Sequence, residues 1–344
     1  MNEELLRALE DLCAEKGIDR DVILDALEAA LIAAYKRNFQ SAQNVEVQMD
    51  RATGAVKVMA KKVVVETVSD EDAQEQISLE DARKISGQLQ LGDEVNIEVT
   101  PKDFGRIAAM TAKQVITQRL REAERGIIYS EYTDKANDIV SGKVQRIERG
   151  NVFVDIGKIE AILPLNEQPE GETYQPQQWI KCYVSEVKNG TKGTQIVLSR
   201  THPGLVKKLF MQEVPEIADG LVEIKSIARE AGSRTKIAVY SQDPEVDPQG
   251  ACIGPKGTRV QRIGEELRDE KIDIVKWSED PAEFIAASLS PSKVLSVTLD
   301  EEEKSAQVTV PEYQLSLAIG KAGQNVRLAA RLTGWKIDIT AAAE

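Results

Sequence analysis

Cysteine is scarce in this sequence, with three residues in 344. Cys13, Cys182 and Cys252 fall in different segments, and their spacing fits neither a disulfide framework nor a tetrahedral metal site. This excludes the class of small secreted proteins that depend on disulfides for stability. We therefore expect three reduced thiols that serve as small core residues in the cytoplasm.

Histidine is scarcer still, because His202 is the only one. A single imidazole with no nearby cysteine cannot supply the ligand cluster of a metal centre. His202 lies where a predicted strand gives way to a predicted helix, so we expect a junction residue rather than a general base. No Walker loop and no nucleophile–base set is found elsewhere. We predict no catalytic residue, no metal and no cofactor.

Long apolar runs and excess positive charge are also missing. No stretch approaches the roughly 20 apolar residues that a membrane helix needs, so we expect no membrane span. Lysine and arginine total 44 against 57 acidic residues, a net charge of −13. Binding to nucleic acid must then use local basic patches rather than bulk attraction. The acid is densest in the first 35 residues, which fits either a solvated helix face or a docking surface for a basic partner.

An internal repeat is the strongest feature that the sequence does contain. Residues 251–260 (ACIGPKGTRV) return as residues 317–326 (LAIGKAGQNV), and residues 271–274 (KIDI) return as residues 336–339. A third Gly-x-x-Gly, at residues 190–193, lies between strand-like segments and is predicted to be a hairpin turn. The shared flanks distinguish the repeated pair from a chance match.

Each repeated turn has the chemistry of a phosphate-binding site. Glycine has no Cβ, so the backbone can approach a ligand closely, and the next helix offers free amides and the positive end of its dipole. The alternative is that the glycines only allow tight helix packing, which does not explain a lysine in both turns. The predicted RNA-binding residues here are Gly254, Pro255, Lys256, Gly257, Arg259, Arg262, Gly320, Lys321, Ala322, Gly323, Gln324, Arg327 and Arg331.

Both repeat units show the order helix, strand, strand, helix, glycine turn, helix, strand. This is the order of a prokaryotic-type KH domain, a module that clamps the backbone of about four single-stranded nucleotides. Pro255 removes one amide donor from the first turn and stiffens it. We therefore expect the two turns to bind RNA unequally.

The region from about residue 137 to residue 199 is predicted to be all β. Five short segments of alternating polarity suit a five-stranded OB-type barrel. The alternation puts Phe153, Lys181 and Tyr183 on the face away from the barrel core, where base stacking and phosphate contact are both favoured. Packing of the two aromatic rings against a neighbouring domain is the alternative.

The first 132 residues are predicted to form an α/β domain with a long connector helix. Leu5, Leu6, Leu9 and Leu12 recur at helical spacing, and a second helix follows from about residue 21. Period-two alternation then predicts strands at 45–48, 56–58, 63–65 and 95–99, and a proline-free helix runs from about 104 to 129. The fold class is multidomain α+β: an N-terminal domain (1–132), the barrel (133–200) and two tandem KH domains (201–277 and 278–344).

Three longer segments carry a resemblance to a known family. Residues 198–203 (LSRTHP), 214–220 (VPEIADG) and 328–339 (LAARLTGWKIDI) resemble the bacterial transcription elongation factor family NusA, and the likeness covers essentially the whole chain. The barrel resembles the ribosomal S-one type. The resemblance implies a non-enzymatic cytoplasmic protein that binds RNA polymerase through its N-domain and single-stranded nascent RNA through the barrel and KH pair.

The same resemblance implies an effect on pausing, hairpin-dependent termination and antitermination. It further implies other Nus-type antitermination factors and a small ribosomal protein as partners, and we expect a monomer. Two other functions stay open from the residues alone. An RNA-degrading enzyme can carry KH and OB modules, and so can a ribosome-associated RNA chaperone, because these folds do not choose a partner by themselves.

Overall fold

The chain divides into two compact units, residues 1–127 and residues 128–344. The computed structural model describes residues 11, 13–14, 20–39, 45–50, 54–68, 72, 75–190 and 193–342. The leucines of the predicted first helix lie outside the described residues. Each unit is described by itself below.

The first unit is built on a four-stranded sheet with β2 at its centre. Strand β2 pairs antiparallel with β1 and β4 and parallel with β3. The described elements of this unit are α1 (Arg20–Phe39), β1 (Val45–Met49), β2 (Val56–Val65), β3 (Gln76–Ser78), α2 (Leu79–Ile85), β4 (Glu94–Glu98) and α3 (Phe104–Asp134), the last of which continues into the second unit.

The prediction of two separate strands at 56–58 and 63–65 is wrong, because β2 runs unbroken through both. The lysines between them do not end the strand, since the backbone there pairs with β4. Lys61 forms an ion pair with Glu94 on that neighbouring strand. The predicted alternation of β1 is confirmed, because its residues are buried and exposed in turn. Ser78 caps α2 by accepting a hydrogen bond from the Asp81 amide.

The core of the first unit lies between the two long helices and the sheet. Apolar residues of α1 recur at helical spacing and face the sheet, while small residues let α3 approach closely. Its fully buried members include Ile23, Leu24, Leu27, Leu31, Val58, Ala60, Ala108 and Ala112.

The second unit begins with the predicted five-stranded barrel, which is confirmed and closed in the order β5-β6-β7-β9-β8. The last turn of α3 packs on it, where the Tyr132 hydroxyl donates to the Ile156 carbonyl at 2.9 Å. Gly190 pairs with Gly193 across the β8–β9 hairpin, as predicted. The strands are β5 (Ile139–Glu148), β6 (Asn151–Asp155), β7 (Glu160–Leu163), β8 (Trp179–Gly190) and β9 (Gly193–Ser199).

Two repeat units follow, and their predicted element order is confirmed. In each three-stranded sheet the first strand runs antiparallel and the third runs parallel to the middle one. The first repeat unit contains α4 (Pro203–Glu213), α5 (Pro215–Ala218), β10 (Val222–Glu230), β11 (Arg234–Ser241), α6 (Pro248–Ile253), α7 (Thr258–Glu266) and β12 (Lys271–Lys276). The second contains α8 (Pro281–Ser288), β13 (Ser296–Asp300), β14 (Ser305–Val310), α9 (Leu315–Ile319), α10 (Gln324–Thr333) and β15 (Lys336–Ala341).

A buried arginine joins the barrel to the first repeat unit. The side chain of Arg200 is 2% exposed, and its Nη2 lies 2.6 Å from a carboxylate oxygen of Glu172 in the barrel. The same guanidinium donates to the carbonyls of Lys181, at 2.6 Å, and Glu266, at 2.9 Å. Because a buried charge is tolerated only when it is paired and hydrogen-bonded, these contacts fix the barrel against the end of α7.

None of the three cysteines forms a disulfide and all three are buried, which confirms their prediction as core residues. Burial raises the pKa of Cys182 and of Cys252 to about 12, so both stay protonated at neutral pH. In the part of the chain that the structure describes, no helix is both long and apolar enough to cross a membrane.

A second buried ion pair gives a test of what stabilises the first repeat unit. Burial alone would raise the pKa of Glu270, but hydrogen bonds from Arg229, Thr235 and the Gly232 amide outweigh it and lower the pKa from 4.5. Glu270→Gln leaves the buried Arg229 charge without its carboxylate, so we expect about 3–5 kcal/mol loss of unfolding free energy at pH 7. Urea unfolding followed by circular dichroism measures it.

The pH dependence has a definite sign. A carboxyl with a depressed folded pKa stabilises the fold above its unfolded value of 4.5 and loses that stabilisation as the pH falls through the folded pKa. The difference between wild type and Glu270→Gln should therefore shrink below about pH 4.5. Glu265→Gln, on the exposed face of α7, is the control and should shift stability by less than about 0.5 kcal/mol. Equal losses for both variants would contradict this assignment.

Candidate nucleic-acid interface

The two repeated glycine turns have the same backbone conformation. Gly254 lies at φ 73°, ψ 173° and Gly320 at φ 77°, ψ 173°, a region that essentially only glycine adopts. Gly257 and Gly323 are left-handed, at φ 76° and φ 75°. The residue before each of these two glycines is left-handed as well. The sequence repeat is thus a repeat of backbone geometry, with an exposed loop at the start of α7 and of α10.

The residue five positions later packs against the first glycine of each turn and leaves no room there for a side chain. A Cβ on Gly254 would lie 2.6 Å from Cγ of Arg259, and a Cβ on Gly320 would lie 2.8 Å from the backbone nitrogen of Asn325. Nη1 of Arg259 donates to the Ala251 carbonyl at 2.6 Å. These two positions therefore hold the turn in place from inside the unit.

Arg259, which the sequence predicts to bind RNA, makes its contacts within its own repeat unit instead. Nη1 of Arg259, which donates to the helix before the turn, also forms an ion pair with Glu216 of α5 at 2.9 Å. Its counterpart Asn325 is buried and donates from Nδ2 to the carbonyls of Ala318, at 3.0 Å, and Leu289, at 3.1 Å. Both side chains donate to helix-end carbonyls, so each closes a helix end inside its own repeat unit.

The outward side chains of the turns are lysines at different positions. Lys256 is the third residue of its turn and Lys321 is the second residue of its own, where the first turn has Pro255. Both lysines are exposed, and neither forms an ion pair with another described residue. A solvated lysine beside a glycine backbone suits contact with a phosphate.

The predicted basic residues after the turns have different surroundings. The side chain of Arg262 on α7 is 71% exposed, and its Nη1 lies 3.5 Å from a carboxylate oxygen of Glu213. On α10, by contrast, Gln324 and Arg327 both donate to one carboxylate, that of Glu230 in the first repeat unit. Arg331 lies 3.8 Å from the same carboxylate. Sequence reasoning missed Glu230, because nothing in the sequence places the end of β10 next to α10.

An apolar seam packs the two repeat units together. Leu328 and Leu332 on the inner face of α10 form one buried cluster with Ala228, Ala238 and Val275 from the sheet of the first repeat unit. Phe284 of α8 completes it. The helix that begins at the second turn thus packs Leu328 and Leu332 against the first repeat unit, and this packing fixes the second turn relative to that unit.

The predicted barrel face is only partly available. Phe153 is half-buried, and the guanidinium carbon of Arg146 lies 4.1 Å from its ring centroid. Arg146 was missed by the sequence analysis, although cation–π contact is a common role for arginine. It also forms ion pairs with Glu148 and Glu160. Lys181 is half-buried and donates to Gln212 at 3.3 Å.

Tyr183 does not lie on an open face of the barrel as predicted, because it packs into the core of the first repeat unit. Its ring is 7% exposed and stacks on His202, with centroids 4.4 Å apart and planes 7° from parallel. A base cannot stack on a ring whose face is already covered, so the alternative of domain packing describes Tyr183. His202 is confirmed as a junction residue: its Nδ1 accepts from the Gly204 amide at 3.0 Å and caps α4.

No group of three or more potential metal ligands occurs among the described side chains. The candidate interface consists of the two turns with Lys256, Lys321 and Arg262, the α10 residues bound to Glu230, and the Phe153–Arg146 pair with Lys181 on the barrel. All of these lie in the second unit. Their chemistry is that of phosphate contact beside an aromatic platform.

The turn geometry predicts that the two glycines of the second turn differ in tolerance. Gly320→Ala puts a Cβ against backbone in a glycine-only conformation, so we expect a loss of about 2–3 kcal/mol in unfolding free energy. Gly323→Ala, in a left-handed conformation, meets Arg327 Nη1 at the ordinary contact distance of 3.8 Å and should cost about 1 kcal/mol. Urea unfolding of the full chain compares them. A larger loss for Gly323→Ala would contradict this geometry.

Comparison with known proteins covers nearly all of the chain. The NusA N-terminal domain matches residues 4–126, and the S1 RNA binding domain matches residues 133–200. The NusA-like first KH domain matches residues 200–277, and the NusA-like second KH domain matches residues 281–344. The boundary between the two KH matches falls between β12 and α8.

Full-length relatives show the same similarity. A protein of Bacillus subtilis is 61% identical over 339 residues, covering 98% of this chain and 91% of its own length. A protein of Halalkalibacterium halodurans is 60% identical over 344 residues (100% and 90%), and one of Thermus thermophilus is 45% identical over 348 residues (98% and 89%). Each is named transcription termination/antitermination protein NusA. The chain therefore belongs to the NusA family.

Proposed function

We propose that this chain is a non-enzymatic, RNA-binding transcription elongation factor that acts as a monomer in the cytoplasm. It docks on RNA polymerase and holds single-stranded nascent RNA, and so modulates pausing, hairpin-dependent termination and antitermination. The observation that carries the proposal is the pair of conformationally identical glycine turns within one packed unit that also contains the barrel.

RNA binding at the turns follows from backbone geometry and charge. The glycines remove side-chain bulk where a phosphate would approach, and the helix that follows presents its positive end. Lys256 and Lys321 add a mobile positive charge to each turn. Because Pro255 has no amide hydrogen, the first turn offers one donor fewer, and the second turn is the stronger of the two.

The barrel adds a stacking platform to the same unit. Arg146 lies over the Phe153 ring, and together they present a planar cation and an aromatic ring. Lys181, on another strand of the barrel, adds a positive charge. Aromatic and guanidinium planes stack on any base, so contact here is tolerant of sequence. The barrel is thus a second contact for a strand that the KH pair holds.

Polymerase docking belongs, in this proposal, to the N-terminal module of residues 1–132. The match to the NusA N-terminal domain and the names of the relatives support it. Asp25 is exposed on α1, and the sequence of the first 35 residues carries an acidic excess that complements a basic partner surface. The modules at 133–200, 201–277 and 278–344 hold RNA, and other Nus-type factors and a small ribosomal protein join the complex.

The RNA-binding turns can be tested with substitutions that the fold tolerates. The second glycines are left-handed, a conformation that aspartate also adopts. An added Cβ would have no described atom within 4 Å at Gly257, and only Arg327 Nη1, at 3.8 Å, at Gly323. Gly257→Asp and Gly323→Asp place a carboxylate where the phosphate would lie. We expect each to lower affinity for single-stranded RNA by about tenfold and the pair to lower it further, measured by fluorescence anisotropy.

Gly334→Asp is the matched control for this experiment. Gly334 lies at the other end of α10 at φ +76°, and a Cβ added there would have no described atom within 4 Å. It should leave RNA affinity unchanged. Wild-type affinity should also fall as salt rises, because phosphate contact releases counterions. Unchanged affinity in the Gly257→Asp, Gly323→Asp double variant would place the RNA site outside the KH turns and overturn the proposal.

A further inference from the structure

The last residue of β10 contacts the RNA-binding helix of the other KH domain. The carboxylate of Glu230, in the first domain, accepts from Arg327 Nε at 2.7 Å and from Gln324 Nε2 at 2.9 Å. Arg331 Nη1 lies 3.8 Å away. All three partners are on α10, within the first eight residues after Gly323. One acidic side chain thus contacts most of the basic residues that are predicted to bind RNA in the second domain.

The contact extends into the turn itself. Arg327 donates from Nη1 to the Ala322 carbonyl at 3.0 Å, so its guanidinium bridges Glu230 and the turn. Gln324, the first residue of α10, also donates to Ser233 Oγ at 2.7 Å. The start of α10 is therefore held from the first domain at two points, Glu230 and Ser233. The first turn has its corresponding support, Glu216, inside its own domain.

The charges around Glu230 are unequal. Hydrogen bonding by Arg327 is the main cause that holds the pKa of Glu230 below its usual value, so the group is a carboxylate at neutral pH. One negative charge faces Arg327 and Arg331, and Lys321 adds a third positive charge on the same turn and helix. The side chains of Arg327 and Arg331 are 44% and 55% exposed. An excess of positive charge thus remains for a phosphate.

We propose that Glu230 is a positioning residue for RNA binding at the second KH turn. Its carboxylate fixes Arg327, and through Arg327 the turn carbonyl of Ala322, so that the turn is preorganised before RNA arrives. Preorganisation raises affinity by removing the ordering cost from the binding step. This inference rests on the proposed RNA-binding function of the turns.

The apolar seam separates this role from a general effect on folding. Leu328, Leu332 and Phe284 bury the domain contact without Glu230. Removing the charge at Glu230 should therefore leave the two domains packed. What changes is the orientation of Arg327 and Gln324, because an amide would turn one donor group toward other donors.

The test is Glu230→Gln in the full chain. We expect about a tenfold loss of affinity for a single-stranded oligoribonucleotide long enough to reach both turns. Glu223→Gln is the matched control, since Glu223 is on the same strand and forms an exposed pair with Lys225. It should bind RNA as the wild type does. Thermal unfolding verifies that both variants are folded.

Introducing Glu230→Gln into variants that already carry a turn substitution distinguishes positioning of the turn from an effect on protein stability. In Gly323→Asp, where the second turn is already disabled, Glu230→Gln should cause no further loss; in Gly257→Asp it should cause its full loss. Glu230→Asp keeps the charge but shortens the side chain, and should give an intermediate affinity. It also provides the measurement if Glu230→Gln proves unfolded.

Three outcomes would overturn the assignment of Glu230. A rise in affinity in Glu230→Gln would show that Glu230 masks the arginines. No change would show that the turn is organised without it, and an equal loss in the Gly323→Asp background would show an effect that does not pass through the second turn. If Gly323→Asp itself leaves binding unchanged, the failure lies with the proposed function of the turn and not with Glu230 alone.

Discussion

Helix α10 is the element on which the rest of the second unit's interface depends. Its first residues follow directly on the second glycine turn, while Leu328 and Leu332 on its inner face join the apolar seam between the two KH domains. A close-packed core does not deform continuously, so packing across the seam helps to hold the turn in one direction. The two turns are therefore parts of one body rather than separate modules on a linker.

The two turns share a backbone but differ in chemistry. Arg259 and Asn325 each lie five residues after the first glycine of a turn, which has φ near +75°. Arg259 supports its turn with a guanidinium, whereas Asn325 supports its turn with an amide. Pro255 and Lys321 also occupy equivalent positions, and one removes a donor where the other adds a charge. The first turn is supported by Glu216 within its domain, whereas the second is supported by Glu230 across the seam.

The sequence predicted the fold well because its signals are local. Alternation in β1 and in the barrel, the glycine punctuation and the repeat each report on neighbours within a few residues. Long side chains were predicted less well. Arg259 and Tyr183 lie at positions that periodicity marks as outward, yet each turns into a contact with another element, and no pattern in the chain reveals that element. Glu230 and Arg146 escaped prediction for the same reason, since their partners are 97 and seven residues away.

We propose that the glycine turns hold nascent RNA while the chain is bound to a transcribing polymerase. Photocrosslinking measures this most directly, with a paused transcription complex whose emerging RNA carries 4-thiouridine and whose crosslinked peptides are identified by mass spectrometry. The account predicts crosslinks in the peptides that contain Lys256 and Lys321, and their loss with Gly257→Asp and Gly323→Asp. Crosslinks confined to the barrel near Phe153, or none to this chain in a complex that contains it, would contradict the account.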